Sequence, residues 1–300
     1  MARQIIDAHH HLWDLNACDY PWLQAKGVKR FFGDPTPIQK DYQVDDFRND
    51  VAPWELLGSV HIQVGVAAGQ AVDETRWVQQ QSETHGLPSA IVAYCELERD
   101  DLEAQLAAHQ QSSKLRGARQ IVGRAAAEDA RTGTGALLAN DHWKAGLSEL
   151  AARGLRFDLQ LVPDQLYAAA RVMSDIPDLS VALCHAGSPW DQSEHGLAAW
   201  RDGLIALAAH PKSVCKLSGF SMFDPDWSDA SIGRLIDTCI DVFGVDRCMF
   251  GSNFPVDKLH RSFRDIWSSY EKVVGDLSEQ EQDKLFRCNA ATFYSLGLSD

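Results

Sequence analysis

A single-domain α/β fold of the (β/α)8 (TIM) barrel type is what the sequence predicts, and three observations predict it. Short apolar runs bounded by turn residues alternate with longer segments of helical period, the pattern of repeated β-α units. There are eight such runs. The 300 residues, 45% of them hydrophobic, suffice for one large core, and no Gly/Ser-rich linker or internal repeat divides them, so residues 1–300 read as one domain.

Taken in order, the expected strands lie at Ile5 to Asp7, Leu57 to Gln63, Ala90 to Cys95, Gly117 to Ile121, Arg156 to Leu161, Ser180 to Cys184, Val214 to Leu217 and Arg247 to Phe250. Helical period is expected over Asp73 to His85, Asp101 to Gln111, Asp141 to Arg153, Asp164 to Ser174, Leu197 to Ala209, Ser228 to Phe243 and Phe263 to Val274. Several of these open with Asp or Ser, whose side chains can cap the free amides of a first turn. The final helix starts at Ser278, with Glu281 three residues on as a capping box, and stops before Gly297. Asp19 to Asp46 holds Pro21, Pro35, Pro37 and several aromatics without a period. It reads as a long loop over the barrel mouth, where such loops shape the pocket, or else as a surface excursion.

A formal charge of −14 excludes the polyanion binders: nucleic acid or an anionic membrane surface would demand a basic patch. A small neutral or locally captured substrate fits better. The seven cysteines contain no CxxC pair and fall in apolar runs, which reads as buried free thiols in a reducing cytoplasm. The N-terminus passes into Ile5-Ile6 without an apolar signal core, and no stretch approaches the roughly 20 apolar residues of a membrane span.

The chemistry begins at Asp7-Ala-His-His-His-Leu-Trp13, where a period of two at a strand end sends His9 and His11 to one side and His10 to the other. Two imidazoles so placed can ligate a divalent metal or serve as structural hydrogen-bonding groups. His185 arrives at the end of the sixth strand just before Gly187, in register with that pair, and makes a shared site of His9, His11 and His185 the expectation. Arg119, ending the fourth strand, and Arg124 just beyond it offer rigid donor forks for a substrate carboxylate or carbonyl, or form rim salt bridges. Gln63 and Gln160 end their strands facing the same mouth and are candidate hydroxyl readers. Lys216, at the seventh strand end, is either a donor to a developing oxyanion or an ion-pair partner. Trp13, Trp22 and Trp190 can stack on a substrate ring or simply pack.

With Cys248-Met-Phe-Gly-Ser-Asn-Phe-Pro-Val-Asp257 at the eighth strand, the chain resembles the amidohydrolase-related lactonases. That family includes sugar-acid lactonases acting on fuconolactone or rhamnonolactone, and pyrone dicarboxylate lactonase. The matching segments span nearly the whole chain: Asp7 to Trp13, Glu74 to Trp77, Leu115 to Arg119, His185 to Gly187, Lys216 to Gly219, Phe250 to Pro255 and Asn289 to Tyr294. The resemblance implies a small lactone as substrate, and histidines and an eighth-strand carboxylate that bind or activate water for attack on its carbonyl. It implies zinc or manganese on His9, His11 and His185, and equally admits metal-independent hydrolysis. Catalytic roles would fall on His185, Arg119 and position 253, with Arg124, Gln63, Gln160, Lys216 and Trp190 on the substrate.

The sequence departs from the family at one of these positions, since the Asp of Gly-Ser-Asp-x-Pro is Asn253 here. An amide cannot be a general base; it offers a neutral oxygen and two donors. Asp257 is the candidate substitute. The rival readings are a metal-dependent decarboxylase or amide hydrolase on the same barrel, and a non-catalytic barrel that binds a small acid. A homo-oligomer is compatible with an acidic barrel of this size, but no interface is readable.

Overall fold

The computed structural model describes residues 2–298, apart from the side chains of residues 126, 127, 131 and 134. Its sheet has eight parallel strands that pair in chain order: β1 Gln4–His10, β2 Glu55–Ile62, β3 Ala90–Tyr94, β4 Leu115–Arg119, β5 Arg156–Leu159, β6 Val181–Leu183, β7 Ser213–Leu217 and β8 Cys248–Phe250. The strands are buried on both faces, as expected of a parallel sheet covered by crossover helices. A parallel bridge between His10 and Phe254 brings the segment after β8 back onto β1. There the His11 N–H donates to Phe254 O and the Asn253 N–H to His9 O, each at 2.7 Å. The two segments that close the barrel are therefore two of those that carry the candidate chemistry.

The helices are α1 Pro21–Gln24, α2 Val44–Val51, α3 Ala71–His85, α4 Leu102–His109, α5 Ala126–Thr132, α6 Asp141–Ala152, α7 Leu166–Ser174, α8 Glu194–Ala208, α9 Asp229–Phe243, α10 Phe263–Val273, α11 Glu279–Asp283 and α12 Asn289–Phe293. Serine caps form as expected at Ser228 and Ser278, and Ser262 caps α10 in the same way, whereas Asp101 precedes α4 without a capping bond. The last helix is continuous, as expected: α11, a π turn over Lys284–Cys288 and α12 follow without a gap, with helical backbone at each junction. Beyond α12, Tyr294 packs with the barrel-interior residues Ile6, Ala8, Val60 and Met249. The main core lies between strands and helices and includes the fully buried Trp143, Phe157, Trp200 and Phe250.

The segment expected to be one long loop holds α1, a 3-10 turn at Thr36–Ile38 and the start of α2. Its antiparallel bridge from Trp13 to Tyr42 straps it to the end of the first strand. No cysteine is in a disulfide, and all but Cys288 are buried. No helix among the described residues is long and apolar enough to cross a membrane.

Candidate active site at the C-terminal strand ends

His9 belongs to β1, His11 follows it, and His185 follows β6; all three are buried. Ring centroids lie 5.2 Å apart for His9 and His11 and 4.4 Å apart for His9 and His185. His10 points the other way, as period two requires, and stacks on Phe47 at 4.1 Å. Two glycines make room for the site. A Cβ on Gly251 would meet His9 Cβ at 2.8 Å, and one on Gly219, itself at φ +71°, would meet His185 Nδ1 at 2.5 Å. His185, Ala186 and Ser188 all hold left-handed backbone, with φ between 52° and 59°, a costly local conformation of the kind that collects at functional sites.

Desolvation pushes all three imidazoles down, His11 to about 3, and nearby Arg119 and Lys216 reinforce the effect. All three are neutral at physiological pH. His11 Nδ1 lies 2.7 Å from Ile62 O, and a carbonyl only accepts, so Nδ1 carries the proton and Nε2 a lone pair. With the amide oriented so that Asn253 Nδ2 donates to Asp257 Oδ1 at 2.7 Å, that lone pair faces Asn253 Oδ1 at 3.3 Å. Two acceptors pointed at each other need a cation or a proton donor between them. Two ligands on one ion with bonds of about 2.1 Å sit roughly 3.4 Å apart at tetrahedral angles, so the pair fits a divalent metal. His9 adds a buried ring on which neither nitrogen has a partner. His185 Nδ1 is 3.0 Å from Ser218 Oγ, which leaves its Nε2 available.

A tighter donor cluster lies nearby: ligand atoms of His9, Asp158 and Cys184 all fall within 4.8 Å of one another. It does not suit a cation. Asp158 Oδ2 already holds Lys216 Nζ at 2.5 Å, Tyr294 OH donates to the same carboxylate at 2.8 Å, and burial pushes the Cys184 thiol up to about 12. The Lys216 ammonium is the cation of that cluster.

A cavity of about 290 Å³ opens above the histidines, its wall including His11, His185, Asn253, Arg119, Gln63 and Gln160. Arg119 donates to Gln160 Oε1 at 2.9 Å and to Gln63 O at 2.6 Å, and its buried Nε–H has no partner. Trp13, Trp22 and Arg124 also line the wall, and the segment after β1 adds Arg30, Phe31 and Phe32, so it does cover the mouth.

Two expected substrate contacts are corrected. Lys216 does not line the cavity: it is fully buried in the ion pair with Asp158, inside the barrel. Trp190 does not line it either, because its Nε1 donates to Arg124 O at 3.2 Å and its ring packs against Phe31 and Phe223. Asp257 is absent from the wall as well; buried behind Asn253, it holds that amide and accepts from the Ser221 N–H, and desolvation pushes it up to about 7.

Sequence reasoning gave no role to three groups that build the site. Asp7 Oδ1 accepts from the His9 and Ser252 amides at 3.0 and 2.9 Å, clamping β1 to the loop after β8. Ser218 supports His185. Glu74, buried on α3, accepts from the Val64 N–H at 2.9 Å beneath the cavity wall. Its signal was an acid four residues before Val78 on the face of α3 that turns inward. Desolvation pushes the Glu74 carboxyl from 4.5 to about 7, so the folded state binds its proton more tightly than the unfolded chain. That contribution to stability is present below pH 4.5 and is lost as pH rises to about 7. Glu74→Gln keeps the acceptor, so it is expected to gain stability over wild type across that window, up to about 3 kcal/mol. Chemical melts at pH 4.5 and 8 check this; an equal difference at both values would show that Glu74 is not held protonated.

A histidine and arginine centre at the C-terminal ends of the strands stands where (β/α)8 enzymes carry their active sites. The comparison with known proteins sharpens that class. The chain belongs to the amidohydrolase family, whose profile matches residues 6–296. It is 31% identical to an L-fucono-1,5-lactonase of Burkholderia multivorans, over 97% of this chain and 96% of that one. An uncharacterized protein of Sinorhizobium fredii is 39% identical over 97% of this chain and 98% of its own. Among solved structures, a zinc-bound amidohydrolase of Burkholderia multivorans superposes with a TM-score of 0.83 at 28% identity, covering 97% of this chain and 99% of that one.

Proposed function

We propose that this protein is a hydrolase that opens a small lactone to its hydroxy acid. The observation that carries the reading is the face-to-face pair, His11 Nε2 and Asn253 Oδ1, on the floor of an arginine-walled cavity, with the unpartnered His9 ring buried beside His11. Similarity to an L-fucono-1,5-lactonase and to a zinc-bound amidohydrolase supports it. His9, His11 and Asn253 would hold a divalent cation such as zinc or manganese. When bound, that ion polarises a carbonyl and lowers the pKa of water.

The chain's own groups supply the remaining steps. Arg119, which lines the cavity, presents its guanidinium to the lactone carbonyl and stabilises the oxyanion as charge develops, in a site where burial strengthens the interaction. His185 lines the cavity with its Nε2 while Ser218 holds Nδ1, so it accepts the proton of the attacking water and returns it to the leaving ring oxygen. Gln160 fixes the Arg119 fork. This division moves His185 from the metal set expected from sequence to the proton.

Elemental analysis with acid-release assays before and after chelation tests the reading. Bound metal with chelator-sensitive lactone opening is expected; full activity in metal-free protein would transfer carbonyl activation to Arg119 and the histidines. Asn253→Asp supplies a second test. Asn253 sits at φ 56°, a conformation that Asp tolerates, and the new carboxylate would share one proton with Asp257. Metal affinity is expected to rise roughly 10- to 100-fold in a chelator competition. Unchanged affinity would mean that position 253 never meets the ion.

A further inference from the structure

The cavity wall carries three arginines, Arg30, Arg119 and Arg124, and among its described residues no Asp or Glu, in a chain whose acidic residues outnumber the basic ones 42 to 28. The inner arginine, Arg119, is taken up by the chemistry proposed above. The outer two come from different segments: Arg30 from the covering segment after β1, and Arg124 from the loop after β4. They meet at one counter-ion behind the wall, Glu128 Oε2, which lies 2.6 Å from Arg30 Nη2 and 4.0 Å from Arg124 Nη1. Glu128 thus faces both guanidiniums, and the Asp129 carboxylate, which accepts from the Arg124 and Ala125 N–H groups, adds a second negative charge near Arg124. Both arginines line the cavity, and the Trp22 ring centre lies 5.6 Å from the Arg30 guanidinium carbon. A neutral, hydroxyl-rich ligand brings no charge to pair with these guanidiniums, whereas a carboxylate does.

We propose that Arg30 and Arg124 form a subsite for a carboxylate carried by the substrate, with Glu128 as its resident counter-ion, so that the preferred substrate is an acidic lactone. The inference rests on the lactonase reading for its reaction but not for its binding. It reverses the neutral substrate that the overall acidity suggests, because net charge describes the whole surface and not one cavity. A guanidinium fork matches a carboxylate in plane and in charge, and sites built around such pairs discriminate strongly against ligands that lack the group.

The test uses two lactones that differ only at C6, glucaro-1,4-lactone with a carboxylate and glucono-1,4-lactone with a hydroxymethyl group, assayed at pH 7. Wild type is expected to show kcat/KM at least ~30-fold higher for the acidic lactone. Arg30→Met and Arg124→Met should each bring that ratio towards one, chiefly through KM. Glu128→Gln, which removes the competing carboxylate, should raise the ratio and keeps the proposal open to test if an arginine variant fails to fold. A wild-type ratio of one or less with the neutral lactone turned over overturns the subsite and leaves the lactonase reading standing. If neither lactone is opened, that reading is in question, and titration calorimetry with glucarate and gluconate decides the subsite. Preference for glucarate that is lost in Arg30→Met upholds it; equal or absent binding overturns it.

Discussion

Replacing His185 with Ala is expected to lower kcat/KM for lactone opening by roughly 10³-fold while leaving the bound metal and the cooperative unfolding transition in place. Three features support so large an effect from one side chain. His185 lines the cavity, its Nδ1 is held by Ser218, and burial keeps the ring neutral and able to take a proton. Retention of metal follows from assigning the ion to His9, His11 and Asn253. The substitution also removes a ring from a backbone position at φ 54°, and Ala there bears the same left-handed cost, so His185→Asn is the companion variant, since Asn adopts that conformation more readily. Both variants should fold and both should lose turnover. Unchanged activity in either would remove His185 from the chemistry. Loss of metal in both would return it to the ligand set expected from sequence.

Much of this site was legible because a barrel turns strand position into spatial position. Period two separated His9 and His11 from His10, and a terminal place on a strand put Gln63, Arg119, Gln160 and His185 at one mouth. What failed was depth along the strand. Lys216 is one residue short of the end of β7, and Asp158 one short of the end of β5; that step places both inside the barrel rather than in the cavity. Period fixes which face a side chain takes but says nothing about its partner, so Tyr294, remote in sequence, could not be foreseen as the third member.

Segments without a period were opaque for another reason. Arg30 lies where prolines and aromatics leave no repeat to read, and Trp190 was an isolated aromatic whose cavity or packing role depends on its neighbours. Short helices such as α2 and α5 give too few turns for a pattern to emerge. The Asn253 to Asp257 bond depends on a left-handed residue four positions upstream, which sequence spacing does not reveal.

Breaking the Lys216 ion pair is expected to be the most destabilising single change in the barrel, at about 3–5 kcal/mol for Lys216→Met. Both partners have no side-chain exposure, and the Nζ to Oδ2 distance is 2.5 Å. Lys216 Nζ also lies 5.0 Å from the centre of the Tyr294 ring, whose hydroxyl donates to Asp158. Removing the ammonium strands an anion among Tyr294, Cys184 and apolar strand residues, and the cost comes from that uncompensated charge rather than from a lost attraction. The double variant Lys216→Met with Asp158→Asn should therefore recover most of the loss, because Asn still accepts from Tyr294 and carries no charge. Urea unfolding of the two single variants and the double one closes the cycle. A double variant as unstable as the sum of the singles would show that the pair acts through packing alone. Restored stability would show that the loss in the single variant comes from the stranded charge.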